Sequence, residues 1–259
     1  MTADRSSAGD PARTLELLWR HHDGAAAPDG ERRRPGPRPG LSVDAVVRAG
    51  TALADTAGLA ALSMRRLAAD LGASPMTLYT YVPGRAELLD LMLDEAYARM
   101  ERRPAGRGWR QRATAVAEDN RALHRRHPWT VEVATTRPTL GPGQTGKYEH
   151  ELAALAALGL DDVGTDAALT FLLGFVQTCA RAEVDARAAA QESAMSDEAW
   201  WQQNAPLLAR VLDPATYPLA TRVGAAAGQA HGGAYDPDAA WEFGLARVLD
   251  GLAALRRGR

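Results

Sequence analysis

Between Pro75 and Val82 stand two threonines, two tyrosines and a methionine. Hydroxyls of this kind reach base edges or phosphates, and threonine and methionine can meet a thymine methyl. Read as a helix, the segment sets Leu78 and Val82 on one face, toward a core. Met76, Thr77, Thr80 and Tyr81 then face outward, with Tyr79 on the flank. Upstream, Arg32, Arg33, Arg34 and Arg38 form a basic run. Such arms can enter a minor groove, or can serve only as a solubilising linker. Other chemistry finds little support. His124-x-x-His127 has helical metal-site spacing, but no carboxylate or cysteine completes a recognised set and Pro128 ends the helix. Cys179, the only cysteine, falls in an apolar run and reads as a small buried residue. There is no G-x-S-x-G, phosphate loop or dinucleotide fingerprint, so neither catalytic residues nor a cofactor are expected.

The elements that must hold the Pro75–Val82 side chains can be read from caps and spacing. Ser42 can cap a helix to about Thr56, with Val43, Val46, Val47, Leu53 and Ala54 as its stripe and Gly58 as its stop. Ser63 caps a second helix, Met64 to Leu71. After the turn Gly72-Ala73-Ser74, Pro75 suits the first position of a third. Pro83-Gly84 end that one, and a fourth helix over 85–102 carries Leu88, Leu89, Met92 and Tyr97. Two short helices joined by a glycine-containing turn make a helix-turn-helix.

Spacings of three and four recur to the C-terminus and sustained alternation is absent, so the fold is expected to be all-α. Residues 11–22 read as a short helix with Leu15, Leu18 and Trp19 on one face. The Gly/Pro/Arg content of 24–40 reads as a linker, and order is expected to begin near Leu41. Further helices are expected at 109–126, 148–158, 162–191, 198–212 and, capped by Asp236, to about 256. Residues 137–146 read as a loop and 213–235 give no clear signal.

The net charge of −2 argues against a nucleic-acid partner, but its distribution does not. Residues 31–112 hold 14 arginines against nine acids, whereas 113–259 hold 13 basic against 18 acidic residues. One end alone is suited to phosphates. Within 41–100 five arginines face seven acids, so the positive charge lies on the motif's flanks. A single cysteine, no apolar leader, and an apolar run over 167–180 short of a membrane span point to a cytoplasmic chain without membrane contact.

Residues 41–100 closely resemble the N-terminal domain of tetracycline-repressor (TetR) family regulators. The likeness rests on A-x-x-x-L-A-D-x-x-G at the first helix, L-S-M-R-R-L-A-x-x-L-G at the second, T-L-Y-x-Y-V at the third and R-x-E-L-L-D opening the fourth. It implies a base contact for Arg65, phosphate contacts for Tyr79 and Tyr81, and a backbone contact for Arg85. Arg66 reads equally as a solvated charge. Past residue 102, Trp109, Thr136-Arg137-Pro138 and E-L-A-A-L-A-A-L-G at 151–159 resemble the family's ligand-binding domain. Carried over, the inner faces hold Trp109, Val116, Asn120, His124, Thr136, Arg137 and Glu151, with Glu101 also inward. The family's magnesium-linked histidine is here Val133, which argues against a metal-chelated ligand.

The resemblance implies a three-helix DNA-binding head over 41–102, after a flexible basic extension over 1–40. A ligand-binding and dimerisation domain over 103–259 follows. The apolar helix around 167–180 and the last helix, through Trp241, Leu245, Val248, Leu249 and Leu252, are expected to pair with their two-fold copies. A homodimer reading a palindromic DNA operator and releasing it to a small-molecule effector follows. The alternative is a helical binding module, for small molecules or proteins, whose helix-turn-helix does not read DNA.

Overall fold

The computed structural model describes residues 5–22, 41–103, 106–133, 135, 137–233 and 235–255. Among these the chain is all-α, with no β-strand. Its helices are α1 Pro11–Leu18, α2 Val43–Ala57, α3 Met64–Asp70, α4 Pro75–Tyr79, α5 Arg85–Ala98 and α6 Trp109–Arg126. They continue as α7 Pro142–Leu155, α8 Asp162–Ser193, α9 Asp197–Val211, α10 Pro218–His231 and α11 Pro237–Leu255. Two compact units divide at Leu173/Gly174, inside α8.

In the first unit, Ser42 caps α2 by accepting from the Ala45 N–H at 3.1 Å. Gly58, at φ 77°, ends it in a conformation costly for any side chain. Val46, Val47, Leu53 and Ala54 are buried against Leu67 of α3, Leu78 of α4 and Leu88 and Met92 of α5. Helix α5 is covered almost all round. Beside its apolar residues it buries Glu87, Asp90 and Asp94, spaced to share one face. Each carboxylate accepts backbone N–H groups from elsewhere in the chain. Glu87 Oε1 takes that of Asp10 at 3.1 Å, and Asp90 Oδ1 that of Ser7 at 2.8 Å. Asp94 takes those of Gly143 and Gln144 at 3.1 and 2.8 Å. It thereby caps α7 from a neighbouring helix, where a negative charge also suits the dipole. The approach leaves no room at Gly143, where a Cβ would lie 2.0 Å from the Asp94 carbonyl oxygen.

Order does not begin at Leu41. Residues 5–22 belong to the first unit; Leu18 is buried and Trp19 packs partly on the core, as its spacing suggested, but Leu17 is buried and Leu15 exposed. Asp10 caps α1 through the Arg13 N–H at 2.9 Å. Arg20 pairs with Asp44 at the start of α2, and the Trp19 indole N–H donates to the Leu140 carbonyl at 2.7 Å. Helix α7 starts at Pro142, inside the stretch read as a loop, because Asp94 supplies the cap its own glycines lack.

In the second unit, Phe175 of α8 stacks on Trp241 of α11 with centroids 5.4 Å apart, and Gly244 provides the space. Leu245, Val248, Leu249 and Leu252 are buried within the chain itself, not held open for a copy as the sequence suggested. Helix α10, absent from the sequence reading, begins on Pro218 and ends on left-handed Gly232, and Trp201 of α9 sits against its Gly228.

Candidate nucleic-acid interface and ligand cavity

The helix-turn-helix is α3, the turn and α4. Ser63 caps α3 and Ser74 caps α4, each through the N–H three residues on, at 3.2 and 3.1 Å. Gly72, at φ 62°, turns the chain between them. Leu67, Ala68, Leu78 and Val82 anchor the motif in the core. On the outer side Met76 is 75% exposed and Tyr79 44% exposed, with Thr80 also exposed. Thr77 is half-buried, its hydroxyl 2.8 Å from that of Ser74, and the Thr80 hydroxyl donates to the Thr77 carbonyl at 2.6 Å. Tyr81 differs from expectation. Helix α4 stops at Tyr79, so Tyr81 turns back and packs partly on the core, while Tyr79 takes the outer place. Arg65 is exposed on α3 and pairs with no carboxylate among the described residues. Arg85 is half-buried, one guanidinium nitrogen donating to the Leu59 carbonyl at 2.9 Å.

Beyond α5, a buried polar chain crosses the space between α6 and α7. Lys147 Nζ donates to Glu151 at 2.8 Å, Asn120 donates to Glu151 Oε1 at 2.6 Å, and Asn120 also reaches the Val116 carbonyl at 2.9 Å. The Lys147 ammonium lies 5.3 Å from the centre of the Tyr97 ring. His124 Nδ1 lies 2.8 Å from the Thr130 hydroxyl, which gives its own proton to the His127 carbonyl. The Thr130 oxygen therefore accepts, and Nδ1 carries the histidine proton. Burial, with the Lys147 charge nearby, pushes His124 down to about 4 and keeps it neutral. Burial pushes the Tyr97 phenol up, reinforced by Glu151 and Asp94.

Above this chain lies a cavity of about 150 Å³, bordered by Leu93, Tyr97, Thr139, Gln144, Lys147 and Leu173. The Thr139 hydroxyl is shut from solvent and has no hydrogen-bond partner among the described residues. An ammonium, a carboxamide and an unsatisfied hydroxyl beside apolar walls suit a small molecule with hydrogen-bond acceptors.

Residues 103–256 match the family model described as tetracyclin repressor-like, C-terminal domain. Over 99% of this chain and 92% of the relative, the sequence is 39% identical to the HTH-type transcriptional repressor DrrR1 of Streptomyces coeruleorubidus. The chain belongs to the TetR family. The fold agrees with TetR-family ActR from Streptomyces coelicolor. The apo structure aligns at TM-score 0.68 with 26% identity, over 86% of this chain and 99% of that one. The structure in complex with actinorhodin aligns at 0.70 with 26% identity, over 84% and 97%.

Within this TetR-family chain the expected ligand residues scatter. Asn120 and Glu151 meet directly, and Val116 holds Asn120 through its carbonyl. These three and His124 support the cavity without lining it. Trp109 is buried at the start of α6, while Arg137 and Glu101 are exposed, the latter pairing with Arg126 at 3.1 Å. Thr136 and the four arginines of the basic run lie outside the described residues. Val133 is fully buried in the core, and among the described residues no group of three His, Cys, Asp or Glu side chains could hold a metal. Sequence reasoning missed Tyr97, Thr139, Gln144 and Lys147 as cavity residues. For Lys147 a signal existed. It is the only lysine in a chain with 29 arginines, placed four residues before Glu151.

Proposed function

We propose that the chain is a cytoplasmic, ligand-responsive transcriptional repressor that binds a palindromic operator as a homodimer. The observation that carries this reading is the α4 surface. Its apolar side is locked into the core by Leu78, while Met76, Tyr79 and Thr80 project outward beside the free-standing Arg65. Side chains of this kind on a rigid short helix suit major-groove readout, with Arg65 for a guanine and Met76 or Thr77 for a thymine methyl. Tyr79 and Arg85 are assigned to phosphates, and Tyr81 to bracing the helix. The repressor role accords with the name of DrrR1, and release by a small molecule accords with the actinorhodin complex of ActR.

The head is assigned to 41–102 and the effector and dimer functions to 103–259. The effector enters the cavity at Lys147 and Thr139. An exposed stripe of the second unit carries Gly174 and Thr178 of α8, small enough for close helix approach, and Phe243 of α11, which is 67% exposed. These surfaces are assigned to the two-fold contact in place of the residues now buried within the chain. Helix α8 is long and apolar enough to cross a membrane, and a protein partner on this stripe supplies the cover its composition calls for. No catalytic step is assigned.

Selection of bound duplexes from a random pool, followed by salt titration, tests the reading. A palindrome bound in the nanomolar range with a steep salt slope is expected. Arg65→Ala is expected to cost about 1–3 kcal/mol of operator affinity and to relax preference at one position per half-site. No enrichment even at low salt would leave a binding module that does not read DNA.

A further inference from the structure

A larger cleft, of about 450 Å³, lies between α2, α5 and α6, and it shares no residue with the cavity at Lys147. We infer that this cleft is a second small-molecule site, and that it takes an apolar anion: a compact hydrocarbon or aromatic body carrying a carboxylate, sulfonate or phenolate. Its volume falls within the roughly 300–1,000 Å³ usual for such sites.

Four residues of α2 border it, Arg48, Thr51, Ala52 and Asp55, whose spacing sets them on one helical face. Ala52, Ala96, Met100 and Leu123 supply the apolar floor. The carboxylates around the rim are already engaged. Glu95 pairs with Arg99 at 2.5 Å, Glu101 with Arg126 at 3.1 Å and Asp119 with Arg103 at 3.2 Å. Asp55 takes the Trp129 indole N–H at 2.8 Å and lies 2.8 Å from His127 Nδ1. Arg48 alone among the four arginines has no acidic partner among the described residues. One turn along α2, the Thr51 hydroxyl is closed to solvent and bonds to nothing among the described residues. An uncompensated cation and an unsatisfied donor thus stand over a hydrocarbon floor, the complement of an anionic head on an apolar body.

The position gives such a ligand consequences. One wall, α2, carries the helix-turn-helix, and the other, α6, leads to Trp129 and His127, which grip Asp55. A molecule in the cleft touches both sides of that grip.

The test uses purified full-length protein and two fluorescent probes, 1-anilinonaphthalene-8-sulfonate and its uncharged analogue N-phenyl-1-naphthylamine. The sulfonate is expected to bind saturably, and the uncharged probe at least tenfold more weakly. Arg48→Gln, a change at an exposed residue that folding tolerates, is expected to weaken the sulfonate about tenfold and leave the uncharged probe alone. Ala52→Trp, which fills the cleft, is expected to abolish both, with thermal melting to verify the fold. Thr139→Leu, in the smaller cavity, is expected to leave both within twofold. Sulfonate binding unchanged in Arg48→Gln, or lost in Thr139→Leu with the fold intact, would overturn the assignment.

Discussion

A buried ammonium is costly unless paired, and Lys147 has its pair in Glu151, which Asn120 completes. Lys147→Met is therefore expected to lose about 3–5 kcal/mol of stability in urea unfolding, by stranding the Glu151 charge. Adding Glu151→Leu is expected to return most of that loss. Resemblance brought Asn120 and Glu151 to notice; Lys147, the ammonium partner of Glu151, was legible only as a compositional oddity, because spacing does not say which surface charge turns inward. Two further groups set opposed pH responses. His124, held near 4 against an ordinary 6.5, takes its proton more readily in the unfolded chain. Its contribution is whole above about pH 6.5 and fades as pH falls toward 4. Burial, opposed by the Ser7 N–H and reinforced by Glu87 and Asp94, pushes Asp90 up to about 6. Its ionised form burdens the fold at neutral pH, and that burden lifts as pH falls from above 6 toward the ordinary 3.8. Asp90→Asn keeps an acceptor for Ser7 and is expected to add on the order of 1–2 kcal/mol at pH 7.5, an advantage that vanishes near pH 4. Denaturant midpoints at pH 7.5, 6 and 5 for the two proteins check the sign.

Helices are legible in a sequence when they carry their own caps. Ser42 and Ser63 announced α2 and α3, and Pro75 announced α4, to within a few residues, although the cap of α4 on Ser74 was read only as part of a turn. Helix α7 was legible only in its second half, because its cap is the Asp94 side chain, about fifty residues away in the chain. The same remoteness hid the role of Gly143. Gly143→Ala would drive a methyl into the backbone of α5, and it is expected to cost at least about 1–3 kcal/mol, read as a lowered melting temperature. Tyr81 was misplaced for a related reason. Periodicity carried the third helix past its true end, and two residues beyond that end, at Tyr81, the angular rule no longer applies.

For the whole molecule, helical class and the order of its parts were open to sequence reading, and so was a helix after residue 11, but the docking of residues 5–22 onto the first unit was not. Their anchors are the carboxylates of α5, the Leu140 carbonyl and Asp44, none of which shows in local pattern. Deleting residues 1–22 is expected to cost several kcal/mol. It exposes the sites of Leu17 and Leu18, at roughly 1.5–3 kcal/mol each, and strips N–H partners from Glu87 and Asp90. Chemical unfolding of full-length and truncated protein measures it. The carboxylates of α5 have one more consequence. Three anchors set on a single face of one rod, gripping two remote stretches of chain, cannot be loosened by degrees, since a twist that frees one misaligns the others. Such a rod behaves as a click-stop and not as a spring. A pair of dyes on α2 and α7 should then report two discrete distances, with effector altering the time spent at each and never their values.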